Sequence, residues 1–180
     1  MPSRNSARNT PRSDTSVALD SLRRIVRALR LAAAGAESST GLTSSQLFVL
    51  QVVHVEPGCS LTEVAARTMT DRTSVAAVVD RLVAKGLVER RRATHDLRRV
   101  ELRPTERASD VLADAPHAPT RCVLEALGAL DERERRRLAQ ALAALVRAMG
   151  LEAEPASMLF DEMSTARARG KREAQRRRPA

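Results

Sequence analysis

The stretch SLTEVAARTMTDRTSVAAVVDRLVAKGLVERRRATHDLRRVELRP, residues 60–104, decides the fold. It opens on Ser60-Leu-Thr-Glu63, the spacing of a capping box, in which a hydroxyl and a carboxylate satisfy free amides at a helix start. That predicts a short helix through about Thr68. From Thr70 to Gly86 the residues Val75, Val78, Val79 and Leu82 fall on one helical face, and Gly86 suits a left-handed terminator. Leu87 to Ala93 and Leu97 to Arg103 then alternate as two short antiparallel strands, joined by the turn-like Thr94-His95-Asp96. Two short helices followed by a small basic hairpin predict a winged helix-turn-helix.

The flanking sequence reads as helical. Upstream, Leu22, Ile25, Val26, Leu29 and Ala33 form a stripe in a helix from Ser16, expected to end before a loop from Gly35 to Gly41. Thr43 is placed to cap a second helix with Leu47, Leu50 and Val53, or the Phe48 side, inward, stopping at Pro57-Gly58. Downstream, Pro104 suits the first turn of a further helix, which Pro116 and Pro119 should interrupt and restart towards Leu127. Asp131-Glu-Arg-Glu134 is a second capping box, opening a helix with Leu138, Leu142, Leu145, Val146 and Met149 on one side. Residues 155–163 are expected to add an amphipathic turn or two. The expected class is mainly α.

Composition narrows the function. The chain has 180 residues, 43% hydrophobic and 29% charged, enough apolar material for a sizeable core. No apolar run approaches the roughly 20 residues that cross a bilayer, and Met1 to Asp14 carries three Arg without the apolar centre of a secretory signal. Cys59 and Cys122 are too few for a disulfide scaffold or a cysteine zinc site; a reducing cytoplasm is expected, with both as small packing residues. Phe48 and Phe160 are the only aromatic residues, which argues against readers that stack single-stranded bases on aromatic platforms. His54, His95 and His117 lack metal spacing, and no cofactor is expected. No glycine-rich phosphate loop, paired histidine ligands or nucleophile elbow is present, so the chain reads as no enzyme.

The net charge of +9 is uneven. Residues 60–107 hold +4, residues 108–163 hold −4, and residues 164–180 hold +6. A basic centre beside an acidic neighbour points to a polyanion meeting the central segment, with double-stranded DNA the expected partner. With Val75, Val79 and Leu82 inward, Thr73, Ala77, Asp80, Arg81 and Ala84 face out, with Ser74 and Ala76 on the flanks. Thr73 and Ser74 can donate to phosphates or bases, Ala76 or Ala77 can meet a thymine methyl, and Arg72 can clamp a phosphate or a guanine. Arg90, Arg91, Arg92, Arg98 and Arg99 put five guanidinium groups into ten residues of the hairpin, where a wing meets phosphates or the minor groove. His95 is a further contact candidate. A solvated hairpin guarding a sheet edge explains the same charges, but the adjoining helix pair favours the wing.

Several ordered motifs carry a resemblance: Leu42-Thr-Ser-Ser-Gln-Leu-Phe-Val-Leu50, Leu61-Thr-Glu-Val-Ala-Ala66, Val79-Asp-Arg-Leu-Val-Ala-Lys-Gly-Leu-Val-Glu-Arg90 and Asp96-Leu-Arg-Arg-Val100. Together, from Leu42 to about Ala108, they resemble the MarR (multiple antibiotic resistance regulator) family. The resemblance implies a homodimer with winged helix-turn-helix lobes on pseudo-palindromic DNA, an interface built from the first and last helices (here Ser16–Ala34 and Thr120–Gly150), and release by a small molecule in the crevice between lobes. It implies that the Asp96 carboxylate orients basic wing groups and that Arg98 approaches the minor groove, while Arg72, Thr73 and Ser74 match the start of the recognition helix. Two departures stand out. Ala76 and Ala77 occupy positions where the family often has Thr and Arg, and Pro104-Thr-Glu-Arg-Ala108 replaces the usual Leu-Thr-Glu-x-Gly.

The expected organisation is a basic disordered arm over 1–15, an N-terminal dimerisation helix over 16–41, a DNA-binding lobe over 42–108, C-terminal dimerisation helices over 109–163 and a basic disordered tail over 164–180. The expected DNA contacts are Arg72, Thr73, Ser74, Ala77, Arg81, Arg92, His95, Asp96, Arg98 and Arg99. The expected function is a homodimeric repressor relieved by a small-molecule effector and carrying no membrane segment. The alternative, kept open by Ala76 and Ala77, is a winged-helix interaction module or a DNA binder without operator specificity.

Overall fold

The computed structural model describes residues 13–93, 98–154 and 158. Among the described residues seven helices and one two-stranded sheet follow in the order α1 (Asp14–Thr40), α2 (Ser44–Val55), α3 (Leu61–Thr68), α4 (Arg72–Ala84), β1 (Val88–Arg92), β2 (Val100–Pro104), α5 (Glu106–Ala113), α6 (Pro119–Ala129) and α7 (Glu132–Ala148). The fold is mainly helical with a small antiparallel wing, as the sequence predicts.

The centre is α2. Every residue from Leu42 to Leu50 is buried, so both the Leu47 and the Phe48 sides face inward. A helix buried all round has neighbours on all sides, and α1, α3, α4, α5, α6 and β2 all pack on this one. Val64 of α3, then Val75, Val78, Val79 and Leu82 of α4, then Val88 and Leu102 of the wing complete the core, none more than 2% exposed. The capping box of α3 forms as spaced: Glu63 accepts from the Ser60 amide at 2.6 Å, and the Ser60 hydroxyl accepts from the Glu63 amide at 3.3 Å. The turn into α4 passes through Met69 at φ +50°, the left-handed region where glycine is the usual occupant.

The wing is anchored to the segment before α3. β1 and β2 pair antiparallel from Val88↔Pro104 to Arg92↔Val100. Gly58 donates to the Leu102 carbonyl and Leu102 to the Cys59 carbonyl, both at 2.8 Å. Gly58 has φ +94°, and a side chain there would meet the Glu101 carboxylate at 3.4 Å, so glycine suits this close approach.

Three local expectations need correction. No loop begins at Gly35: α1 continues to Thr40 and ends at Gly41, φ +67°. The Ser39 and Thr40 hydroxyls bond back to the carbonyls of Gly35 and Ala36, and Ala36 is packed into the core, which offsets the glycine's weak propensity. Its start is also earlier, with Ser13 as N-cap. Pro104 does not open α5; it ends β2, because Thr105 supplies the cap, its side chain accepting from the Ala108 amide at 3.3 Å. The expected strand starts, Leu87 and Leu97, are later here, and Leu97 lies outside the described residues.

Pro116 and Pro119 separate α5 from α6 as expected, with Pro119 in the first turn of α6. Gln51 of α2 reaches this segment, donating through Nε2 to the Pro116 carbonyl (2.9 Å) and accepting through Oε1 from the Ala118 amide (3.2 Å). The second capping box forms at Asp131 and Glu134. Arg135 binds the last carbonyls of α6, those of Leu127 at 2.9 Å and Leu130 at 2.6 Å, and so fixes the turn into α7. The outer helices are bare on their apolar sides. No residue of α7 is buried, and Leu138, Leu142, Leu145, Val146 and Met149 are all exposed. On α1 the same holds for Val17, Leu22, Ile25 and Val26. Of the expected turn at 155–163 only Met158, buried in the core, is described.

Candidate nucleic-acid interface

Asp71 prepares the start of α4. Its carboxylate accepts from the Ser74 amide at 2.9 Å and from the Ser74 hydroxyl at 2.6 Å. These hydrogen bonds, the hydroxyl one first, hold the Asp71 carboxyl below its usual range. Ser74, half-buried, therefore has its donor committed within the helix cap. Arg72 and Thr73 in the first turn are exposed, as are Ala77 and Asp80 one and two turns on, while Ala76 and Arg81 are half-buried. The outward face read from periodicity is present, with Arg81 nearer its edge.

Four of the wing's arginines are tied to carboxylates. Arg90 binds Asp80 of α4 at 2.6 Å. Arg91 binds Glu89 at 2.8 Å, and Arg103 binds Glu101 at 3.0 Å. Arg99 gives one nitrogen to both oxygens of Glu63, at 3.0 and 3.2 Å. Arg92 and Arg98 are exposed, and Arg92, like Arg72, makes no ion pair among the described residues. His95 and Asp96 lie outside the described residues, and with them the expected orientation of wing arginines by Asp96. Sequence reasoning missed Glu63 and Asp80 as partners of the wing. Glu63 was already explained by its capping box, and no local spacing links it to a residue 36 positions on.

A second feature is a groove of about 260 Å³ between α2, α5 and α6, lined by Gln51, His54, Leu112, Ala115, His117 and Arg121 among others. A smaller hollow of about 120 Å³ lies along α2 against Arg67 and Arg121, with Phe48 and Val52. Its lining includes two imidazoles and a guanidinium. His54 and His117 are exposed there. Arg121 also binds Glu125 at 2.8 Å, and that bond holds the Glu125 carboxyl low.

The two cysteines differ. Cys59 is buried, and desolvation pushes its thiol pKa up, so it is the packing residue expected. Cys122 is exposed on α6, contrary to the expectation of a packing residue. Among the described residues no cluster of three or more His, Cys, Asp or Glu could hold a metal ion, and no helix is long and apolar enough to cross a membrane.

Residues 40–99 match the model of the MarR family, a family of DNA-binding transcriptional regulators. No curated protein matches the chain in sequence. Among solved structures, Streptococcus pneumoniae FabT in complex with DNA is similar over 76% of this chain and 98% of its own, at 18% identity and TM-score 0.52. A MepR-like protein complexed with pseudoligands is similar over 78% of this chain and 97% of its own, at 21% identity and TM-score 0.50. At these identities the likeness is one of fold.

Proposed function

Taking residues 40–99 as a winged helix-turn-helix of the MarR family, we propose that the chain is a homodimeric transcriptional regulator that reads a pseudo-palindromic operator. The observation that carries this reading is the outward face of α4, with Arg72, Thr73 and Ala77 exposed in its first turns, beside a wing whose Arg92 and Arg98 are exposed as well. A recognition helix enters the major groove by its N-terminal half, while a basic wing follows the backbone and the adjacent minor groove. Arg72, Arg92 and Arg98 neutralise phosphates, Thr73 and Ala77 meet base edges, and Arg81 lies at the rim. Ser74 contributes by fixing the cap, and His95 and Asp96 remain proposed contacts.

The unpartnered apolar faces of α1 and α7 support the homodimer. A 17-residue helix with no buried residue lacks the packing that normally keeps an amphipathic helix folded in water. A second copy offers the same stripe, and a two-fold axis matches the symmetry of a palindrome. Two recognition helices must then lie about 34–36 Å apart to enter successive major grooves. Bound across a promoter, such a dimer excludes polymerase and acts as a repressor, in the compartment that holds the DNA. The groove between α2, α5 and α6 is where a small molecule would relieve repression, since it borders the proline segment joining the DNA-reading elements to α6 and α7.

Binding of the purified protein to the DNA upstream of its own gene, set against a scrambled duplex over a salt series, tests the reading. A preference of about 10³-fold or more at physiological salt is expected of an operator reader. Equal binding to both duplexes overturns it in favour of a non-specific binder, the reading that Ala76 and Ala77 favour by leaving mid-helix α4 without hydrogen-bond donors.

A further inference from the structure

Arg99 is the wing arginine most firmly tied to the body of the protein. Its carbonyl accepts from the Ala93 amide at 2.9 Å, the last described rung of the wing on that side, and Ala93 is buried. Its side chain is held by both oxygens of Glu63. Glu63 is itself fixed, because the same carboxylate closes the capping box of α3 on the Ser60 amide. Two backbone bonds between the Gly58–Cys59 segment and Leu102 run beside this contact. A second tie joins the other strand to the other helix, through Arg90 and Asp80. Each side of the hairpin is thus strapped to one helix of the pair.

Resting on the DNA-binding reading above, we propose that Glu63 is a positioning residue for that binding. It holds Arg99, and through it the outer end of the wing's ladder, against α3, and Arg99 acts as a strut rather than as a phosphate ligand. Arg92, exposed on the same wing, is then a cation that can meet the duplex. The pair is about half-exposed, Arg99 at 46% and Glu63 at 44%. Solvent screening keeps such pairs from contributing much to overall stability. Their effect is geometric: a wing hinged only at its ladder swings, and one tied to α3 keeps a fixed angle to the recognition helix.

Two mechanisms for Arg99 separate cleanly by counterion release. A phosphate ligand contributes about 0.9 to the slope of log affinity against log salt; a strut contributes nothing to the slope. Glu63→Gln is the informative partner variant, because glutamine also serves in a capping box and only the charge is lost. With the upstream duplex as probe, Arg99→Ala and Glu63→Gln should each weaken binding by about two- to fivefold, the range of exposed ion pairs. The double variant should be no weaker than the weaker single one, and all slopes should stay at the wild-type value. A slope shallower by about one unit in Arg99→Ala, or tighter binding in Glu63→Gln, overturns the proposal and makes Glu63 a competitor of the DNA. If the wild-type protein ignores duplex altogether, the function proposed above fails, but the strut is still open to test. Hydrogen exchange at the Ala93 amide of the free protein should then rise severalfold in both variants while α2 stays protected, and no rise overturns the strut.

Discussion

Paired replacement of Leu142 and Leu145 by alanine should dissociate the dimer while leaving each protomer folded. Both side chains lie on α7, 44% and 40% exposed in the single chain. Full burial of a leucine side chain stabilises by about 1.5–3 kcal/mol, so the exposed two-fifths of each represents about 0.6–1.2 kcal/mol. Across a two-fold axis each position occurs twice. Allowing for the part of the side chain that alanine retains, the double substitution should cost about 2–4 kcal/mol of association, or roughly 30- to 1,000-fold in dimer Kd. Alanine is the strongest helix former, so helical content by circular dichroism should hold. Sedimentation equilibrium over a concentration series measures the shift. An unchanged association constant, or a wild-type protein that is monomeric throughout, would refute the reasoning that these stripes pair with each other.

Replacing Arg92 by alanine should weaken duplex binding and lower the salt slope by about one unit, whereas Thr73→Val should alter the preferred sequence and leave the slope alone; selection from a randomised duplex pool reads the second. Met69→Gly should raise the unfolding free energy by roughly 0.5–1 kcal/mol, read as a higher denaturant midpoint, since it removes a side chain from left-handed backbone; a lower midpoint would mean that Met69, although exposed, packs usefully at the helix turn. Asp71 has a folded-state pKa below that of the unfolded chain, because Ser74 donates to its carboxylate. Its stabilisation is therefore complete above the ordinary aspartate value of about 4 and is lost as pH falls through the lower folded value. Asp71→Asn should make urea stability less steep in that acid range, and an identical acid limb would count against the cap as its source.

The helix pair and wing were legible because their signals are local. Ser60 and Glu63 are three residues apart, the α4 face repeats within thirteen residues, and the alternation of the wing falls within two short strands. The ends of α1 and α5 were misread where a local signal met a competing one: hydroxyl back-bonds and core packing carried α1 past Gly35, and Thr105 capped α5 in place of Pro104. The ion pairs that divide the wing arginines were illegible for a different reason. Arg99 and Glu63, or Arg90 and Asp80, meet only once the hairpin folds back on the helices. Nor could composition show that His54 shares a groove with His117 and Arg121, since they come from two distant parts of the chain.

The Gln51 amide addresses two backbone groups that straddle His117, one as donor and one as acceptor. A sliding of α2 along the proline segment would break both bonds together, so small displacements gain nothing until new partners are reached. Such a joint behaves as a detent, with separate resting places instead of a continuum. The spacing between the two reading heads of a dimer would then change in steps, and whatever lodges beside Gln51 would select one step rather than stretch the molecule by degrees.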